Sequence, residues 1–287
     1  MALISYIDEF FRNPKGMLIF FLLAFPGRIL ALSLHEFAHA WMADRCGDPT
    51  ARMLGRMTVN PLTHLDTLGT LLMLLVGFGW AKPVPVNPRN YRDPRRDDLK
   101  VSLAGVTMNL ILFVLSMVLM TAAVALALAR VPAGDLTTTG VKVFRMNYMG
   151  SEALIFPADN TYVPLMQLLL NLPYYPADTL IAPVFGSVAS HLYQMLGYFC
   201  VTNLVLCVFN LLSVPPLDGY HVFNDLLLRR RQLFADPRTA RIASTVLFVL
   251  VITGVLGRAL GWVDAQIITG AGRLAAGALK ALGLMGA

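Results

Sequence analysis

The stretch MLIFFLLAFPGRILALSLHEFAHAWMA, residues 17–43, decides how this chain is read. It is apolar over more than the roughly 20 residues that one helical crossing of a bilayer needs. Near its end it carries His35, Glu36 and His39 within little more than one turn. An ionisable group in the middle of a membrane helix costs about 2.5–3.5 kcal/mol on insertion scales, so such residues need partners. One reading makes them a pair of histidines bonded to headgroups or loops where the helix leaves the membrane. The other gives them a metal.

The rest of the composition agrees with a membrane setting. Hydrophobic residues make up 56% of the 287 and charged residues 14%, with a mean hydropathy of +0.63. Soluble domains carry about 25% charged residues. The net charge of +6 is not a nucleic-acid signal, because the basic residues gather in short loops between apolar runs. Nine of the 23 Lys and Arg fall within residues 45–100 and five within 213–241. The positive-inside rule puts those two loops in the cytoplasm. The histidines of the first span then lie toward its cytoplasmic end. Cys200 and Cys207 are two helical turns apart, too far for a disulfide, and with Cys46 they read as small buried hydrophobes. The first 15 residues are polar and of mixed charge, which predicts no cleaved signal peptide.

Working outward, residues 65–80 form a short apolar stretch between Asn60-Pro61 and Lys82-Pro83-Val84-Pro85, of a length suited to a re-entrant hairpin. Residues 101–129 are the clearest span, 186–212 another, and 242–260 a further one. The expected fold is an all-α integral membrane protein, a polytopic helical bundle of about four to six membrane segments with a short membrane-embedded hairpin. We expect one domain over 1–287: a core of 17–130 and 186–262, a non-cytoplasmic loop insertion at 131–185, and a tail at 263–287 that is at most a small amphipathic helix.

The chemistry begins with the H-E-x-x-H spacing of His35-Glu36-Phe37-Ala38-His39. Residues four apart share a helix face, so both imidazoles reach one Zn²⁺, and the intervening glutamate sits beside the open position as a base. Catalytic zinc keeps three protein ligands. Asp218, His221 and His64 are candidates for the third; His191 falls near the opposite side of the membrane. Asp218 follows a span and a Pro215-Pro216 break and precedes Gly219, which frees the backbone to turn a carboxylate inward at membrane depth. His221 lies further toward the polar loop, and His64 would have to fold back.

These residues carry a resemblance to the site-2 protease family of intramembrane zinc metalloproteases, in its compact bacterial-type branch without a PDZ domain. It covers about residues 25–127 and 201–224. The matching motifs are His35-Glu36-Phe37-Ala38-His39-Ala40, Gly47-Asp48-Pro49-Thr50-Ala51-Arg52 and Asn60-Pro61-Leu62-Thr63-His64-Leu65-Asp66. Further along they are the Gly77–Pro88 run, Ser102-Leu103-Ala104-Gly105, Phe209-Asn210-Leu211-Leu212 and Pro215-Pro216-Leu217-Asp218-Gly219. The chain departs from the family at Val106, Ser213 and Thr67, where proline is usual; none of these removes a ligand or the base.

The resemblance implies one Zn²⁺ per chain, held by His35, His39 and Asp218, with Glu36 as catalytic base. It places Asn109 and Asn210 at the active site, holding the substrate backbone or the oxyanion; the plain alternative for each is an interhelical hydrogen bond. It makes residues 65–80 the family's embedded hairpin, where a substrate strand could pair by β-augmentation. The implied activity is hydrolysis of peptide bonds in membrane-spanning proteins, at the cytoplasmic side of the bacterial inner membrane. The partners are then a substrate with a transmembrane segment and the lipid bilayer, with no nucleic acid. Two rivals stand beside it. A catalytically silent homologue that holds membrane clients would be expected to lose Glu36 or a ligand. A metal-ion transporter would need polar residues spread through the bilayer.

Overall fold

The computed structural model describes residues 10–76, 79–130, 186–226 and 236–283, with the backbone of four strands between 136 and 164. The basic run Arg229-Arg230-Arg231, the first nine residues and most of 131–185 lie outside the described residues. In chain order the elements are α1 (Pro14–Arg45), α2 (Thr50–Met53), α3 (Thr67–Val76), α4 (Pro94–Arg130), β1 (Leu136–Thr137), β2 (Lys142–Tyr148), β3 (Ser151–Phe156) and β4 (Thr161–Pro164). There follow α5 (Ser187–Asn210), α6 (Asp218–Leu226), α7 (Pro237–Ile252) and α8 (Val255–Ala281).

Helices α1, α4 and α5 are each long and apolar enough to cross a membrane, and α7 with α8 would make a fourth span if the bent pair counts as one. The protein is a polytopic helical membrane protein, as its composition led us to expect. Exposed Leu110, Ile111, Val114, Leu115, Val118 and Leu119 give α4 an apolar outer side suited to lipid. At about 1.5 Å per residue α4 is longer than the roughly 30 Å hydrocarbon core, so its polar first turns stand in water. There Asp93 Oδ1 accepts from the Arg95 and Arg96 amides, and Asp97 accepts from Lys100 Nζ at 2.7 Å. Acidic groups in a first turn complement the helix dipole.

Three outcomes differ from the sequence reading. The span expected at 242–260 is broken after Ile252, where α7 and α8 meet at 73°. Gly254 takes a φ of +74° there, the left-handed conformation that ends helices. The tail after Asp264 is not a minor appendage, since α8 runs on to Ala281. Within 131–185, where we expect a loop insertion, the strands pair antiparallel in the order β1-β2-β3-β4, with Phe144 opposite Ile155 and Leu154 opposite Val163.

The chain forms two compact units. One comprises Met1–Leu112 with Thr202–Asp264, and the other Phe113–Val201 with Ala265–Ala287. The first holds every candidate site residue except His191. It also contains the re-entrant element. Helix α3 is too short to cross, and the chain returns through an extended segment starting at Gly79. Leu65 pairs with Ala81, and the Lys82 amide donates to the His64 carbonyl at 2.7 Å, closing the base of the loop. Glycine is needed on both sides, because a Cβ on Gly69 would lie 2.3 Å from the Trp80 carbonyl and one on Gly79 2.0 Å from that of Gly69. In the second unit the Cys200 thiol points at the Phe113 carbonyl, 3.8 Å away. All three cysteines are free and buried.

The loop after α1 is tied down by a buried carboxylate. Asp48 accepts from the Thr50 amide and hydroxyl, from the Asn87 amide at 2.6 Å and from Asn90 Nδ2 at 2.8 Å. Burial alone would raise its pKa, but these donors outweigh it and hold the carboxyl below the usual carboxylate range. A group depressed in the folded state stabilises above its unfolded pKa of about 3.9 and loses that contribution as pH falls through its folded value. Asp48→Ala is therefore expected to cost about 2–3 kcal/mol, the worth of hydrogen bonds to a charged group. Asp48→Asn should flatten the acid limb of a melting-temperature profile below about pH 4. An unchanged acid limb would remove Asp48 from this role.

Candidate metal centre

Helix α1 buries His35 and His39 next to the small residues Gly27, Ala31, Ala38, Ala40 and Ala43. Small residues let a second helix approach closely. That helix is α4, and it meets the imidazoles with three residues spaced four apart. The Val101 carbonyl accepts from His39 Nδ1 at 2.7 Å, and Asn109 Oδ1 accepts from His35 Nδ1 at 2.5 Å. Between them, a Cβ on Gly105 would lie 2.4 Å from His39 Nε2 and 2.5 Å from His35 Cε1. Only glycine leaves room for both rings.

With each Nδ1 donating to an oxygen, each Nε2 carries a lone pair. The two Nε2 atoms stand 3.0 Å apart, and Asp218 Oδ2 lies 3.2 Å from one and 3.3 Å from the other. Three electron-pair donors thus face one point. A single proton can lie along only one edge of that triangle, whereas a cation satisfies all three. Among the described residues Asp218 Oδ2 has no ordinary hydrogen-bond donor, which fits a ligand. A tetrahedral zinc with bonds of about 2.0–2.1 Å separates its ligand atoms by about 3.3–3.4 Å. His35, His39 and Asp218 form the one three-residue group of metal-binding type among the described residues.

Asp218 reaches this point because the chain doubles back after α5. A Cβ on Gly219 would lie 2.4 Å from the Leu211 carbonyl, so glycine lets the start of α6 fold onto the end of α5. The other candidate histidines are turned elsewhere. His221 faces Asp98 across 3.8 Å, and that carboxylate raises its pKa. His64 Nε2 donates to the Thr58 carbonyl, and exposed His191 to that of Ser187. Glu36, half-buried beside the triangle, accepts at Oε2 from the Val84 amide at 2.8 Å, which leaves its second oxygen for other work.

The sequence profile of Peptidase family M50 matches residues 21–254, which contain all of these residues. The chain belongs to this family. It is 31% identical over 221 residues to "Putative zinc metalloprotease YwhC" of Bacillus subtilis (strain 168), covering 77% of this chain and 75% of that one. It is 37% identical over 108 residues to "Putative zinc metalloprotease Rip2" of Mycolicibacterium smegmatis (strain ATCC 700084 / mc(2)155), covering 36% of this chain and 41% of the relative. No solved structure matches.

Within this M50 protein the two asparagines singled out by the sequence are placed differently. Asn109 is wholly buried with its amide engaged at both ends, to His35 and, through Nδ2, to Asn203 Oδ1 at 2.8 Å. The sequence reading gave Asn109 either the substrate backbone or oxyanion or an interhelical hydrogen bond, and here its amide lies between His35 and Asn203. Asn210 is half-buried and spends one donor on the Leu206 carbonyl of its own helix. Sequence reasoning passed over Asn203, although an amide in the middle of an apolar span is a signal in itself. It also passed over the Val101 carbonyl and the Val84 amide, because backbone partners leave no trace in residue identity.

Two expectations follow from this geometry. Gly105→Ala should keep its helix, since alanine is the better helix former by about 1 kcal/mol, yet lose metal. Circular dichroism together with metal analysis of the purified protein checks this, and a Gly105→Ala protein with full metal would contradict the packing. Asp218→Ala should likewise lose bound metal, while His221→Ala and His64→Ala should retain it. The reverse pattern would overturn the ligand set.

Proposed function

We propose that this protein is an intramembrane zinc metalloprotease that hydrolyses peptide bonds of membrane-spanning substrates in or near the bilayer. It would hold one zinc per chain through His35, His39 and Asp218. The observation that carries this reading is the convergence of three lone-pair donors beside an unspent glutamate oxygen, on helices apolar enough to lie in a membrane.

Zinc held there would supply Lewis acidity, lowering the pKa of a water in its open position toward about 7 and polarising the scissile carbonyl. Glu36 takes a proton from the attacking water and delivers it to the leaving amine. The Val84 amide fixes one Glu36 oxygen, so the other faces the reaction. Asn210 has a second N–H for the substrate backbone or the oxyanion, a role worth about 2.7–4 kcal/mol per donor in other hydrolases. The extended return of the re-entrant loop is the segment against which an unwound substrate strand would lie. The basic loops support a site toward the cytoplasmic side of the membrane, which we read as a bacterial inner membrane.

The rival readings explain less. A silent client-holding homologue has no use for a base kept beside a complete ligand set. A transporter needs ionisable groups along the membrane depth, and here His35, Glu36, His39 and Asp218 gather at one level.

Glu36→Gln keeps size and the Val84 contact but removes the base. Zinc content should stay at wild-type level while cleavage of a single-span substrate falls by about 10²–10⁴-fold. Near-normal cleavage would assign the base elsewhere, and loss of zinc would make Glu36 structural.

A further inference from the structure

Asn203, on α5, is wholly buried and accepts from Asn109 Nδ2 at 2.8 Å. Asn109 in turn accepts from His35 Nδ1. We propose that Asn203 is a positioning residue of the metal centre, acting through Asn109 to hold His35 in the tautomer that presents Nε2 to the metal. The proposal rests on the metal reading above.

The two histidines differ in what holds their Nδ1 protons. His39 Nδ1 donates to the Val101 carbonyl, part of a helix backbone that cannot turn round. His35 Nδ1 meets a side-chain amide, whose oxygen and nitrogen ends have nearly the same shape and exchange places by a half-turn. If Asn109 turned, its NH₂ would face His35 and the histidine would have to expose a lone pair at Nδ1. The proton would then sit on Nε2, where it blocks the metal. Asn203 makes that turn costly, because the same rotation would set the Asn109 oxygen against the Asn203 oxygen unless both buried amides turned together. Both asparagines are fully buried, so water cannot repair either mismatch. The amide pair thus does for His35 what the backbone does unaided for His39. Partners that fix a ligand's tautomer are commonly worth about 10–100-fold in metal affinity.

The test uses the full chain with ring-¹⁵N-labelled histidine and reads two quantities. In the metal-free protein, NMR of the imidazole nitrogens reports each tautomer. In the loaded protein, competition with a chelator gives the zinc Kd. Asn203→Leu is expected to let His35 populate the Nε2–H tautomer while His39 stays Nδ1–H, and to weaken zinc by about 10–100-fold. In an Asn109→Ala background the same substitution should add little further loss, because its route to His35 is already cut. Should Asn203→Leu fail to fold, Asn203→Ser, whose hydroxyl is too short to reach Asn109, is measured the same way. A variant with His35 tautomer and zinc Kd both unchanged overturns the proposal. So does one in which both histidines change together, which would mark a general packing role. A wild-type protein that binds no zinc, with His35 still held by Asn203, would instead refute the metal reading and leave the tautomer lock standing.

Discussion

Two imidazole nitrogens and a carboxylate oxygen face one another at 3.0–3.3 Å in a largely buried setting, and much of the first unit is arranged around that meeting. Like partial charges so close repel unless a cation lies between them, so the arrangement makes sense as a metal centre held ready. Its requirements explain features that are otherwise odd in an apolar helix pair. The part of α1 next to its two histidines buries only small residues, Ala31, Ser33, Ala38, Ala40 and Ala43. One line of α4, Val101, Gly105 and Asn109, supplies a carbonyl, a gap and an amide in the order the rings need. The glycine after Asp218 lets the third donor reach back from a separate segment.

The same economy governs the base. Glu36 is neither a ligand nor paired with a cation among the described contacts; it is steered by the Val84 amide of the re-entrant return. Pro83 and Pro85 flank that amide and donate no N–H of their own, which leaves Val84 as the donor on its stretch of backbone. Arg56 fastens the same segment through the Lys82 and Pro83 carbonyls, and Asp48 anchors its far end at Asn87. The loop that a substrate would approach is therefore also the loop that aims the base.

Much of this was legible in the sequence. Helix-period spacing put His35 and His39 on one face, and the Pro215-Pro216 break before Asp218 marked a carboxylate able to turn inward. The apolar runs located the three spans. What stayed hidden depends on contacts that residue type does not encode. Asn109 and Asn210 looked alike as amides near the site, yet one is consumed in holding His35 and the other sits half-buried at a helix end. Gly105 appeared only as part of a motif, and the reason for it is the pair of rings against which it packs. The break at Gly254 escaped notice because a glycine in an apolar run reads equally well as helix.

The central claim is that His35, His39 and Asp218 hold a zinc ion. X-ray absorption at the zinc edge of the purified protein tests it most directly. The account predicts only nitrogen and oxygen neighbours, at about 2.0–2.2 Å, with an imidazole signature from two histidines. Sulfur at about 2.3 Å, which would implicate a cysteine, or a protein purified with no zinc at all, would contradict it.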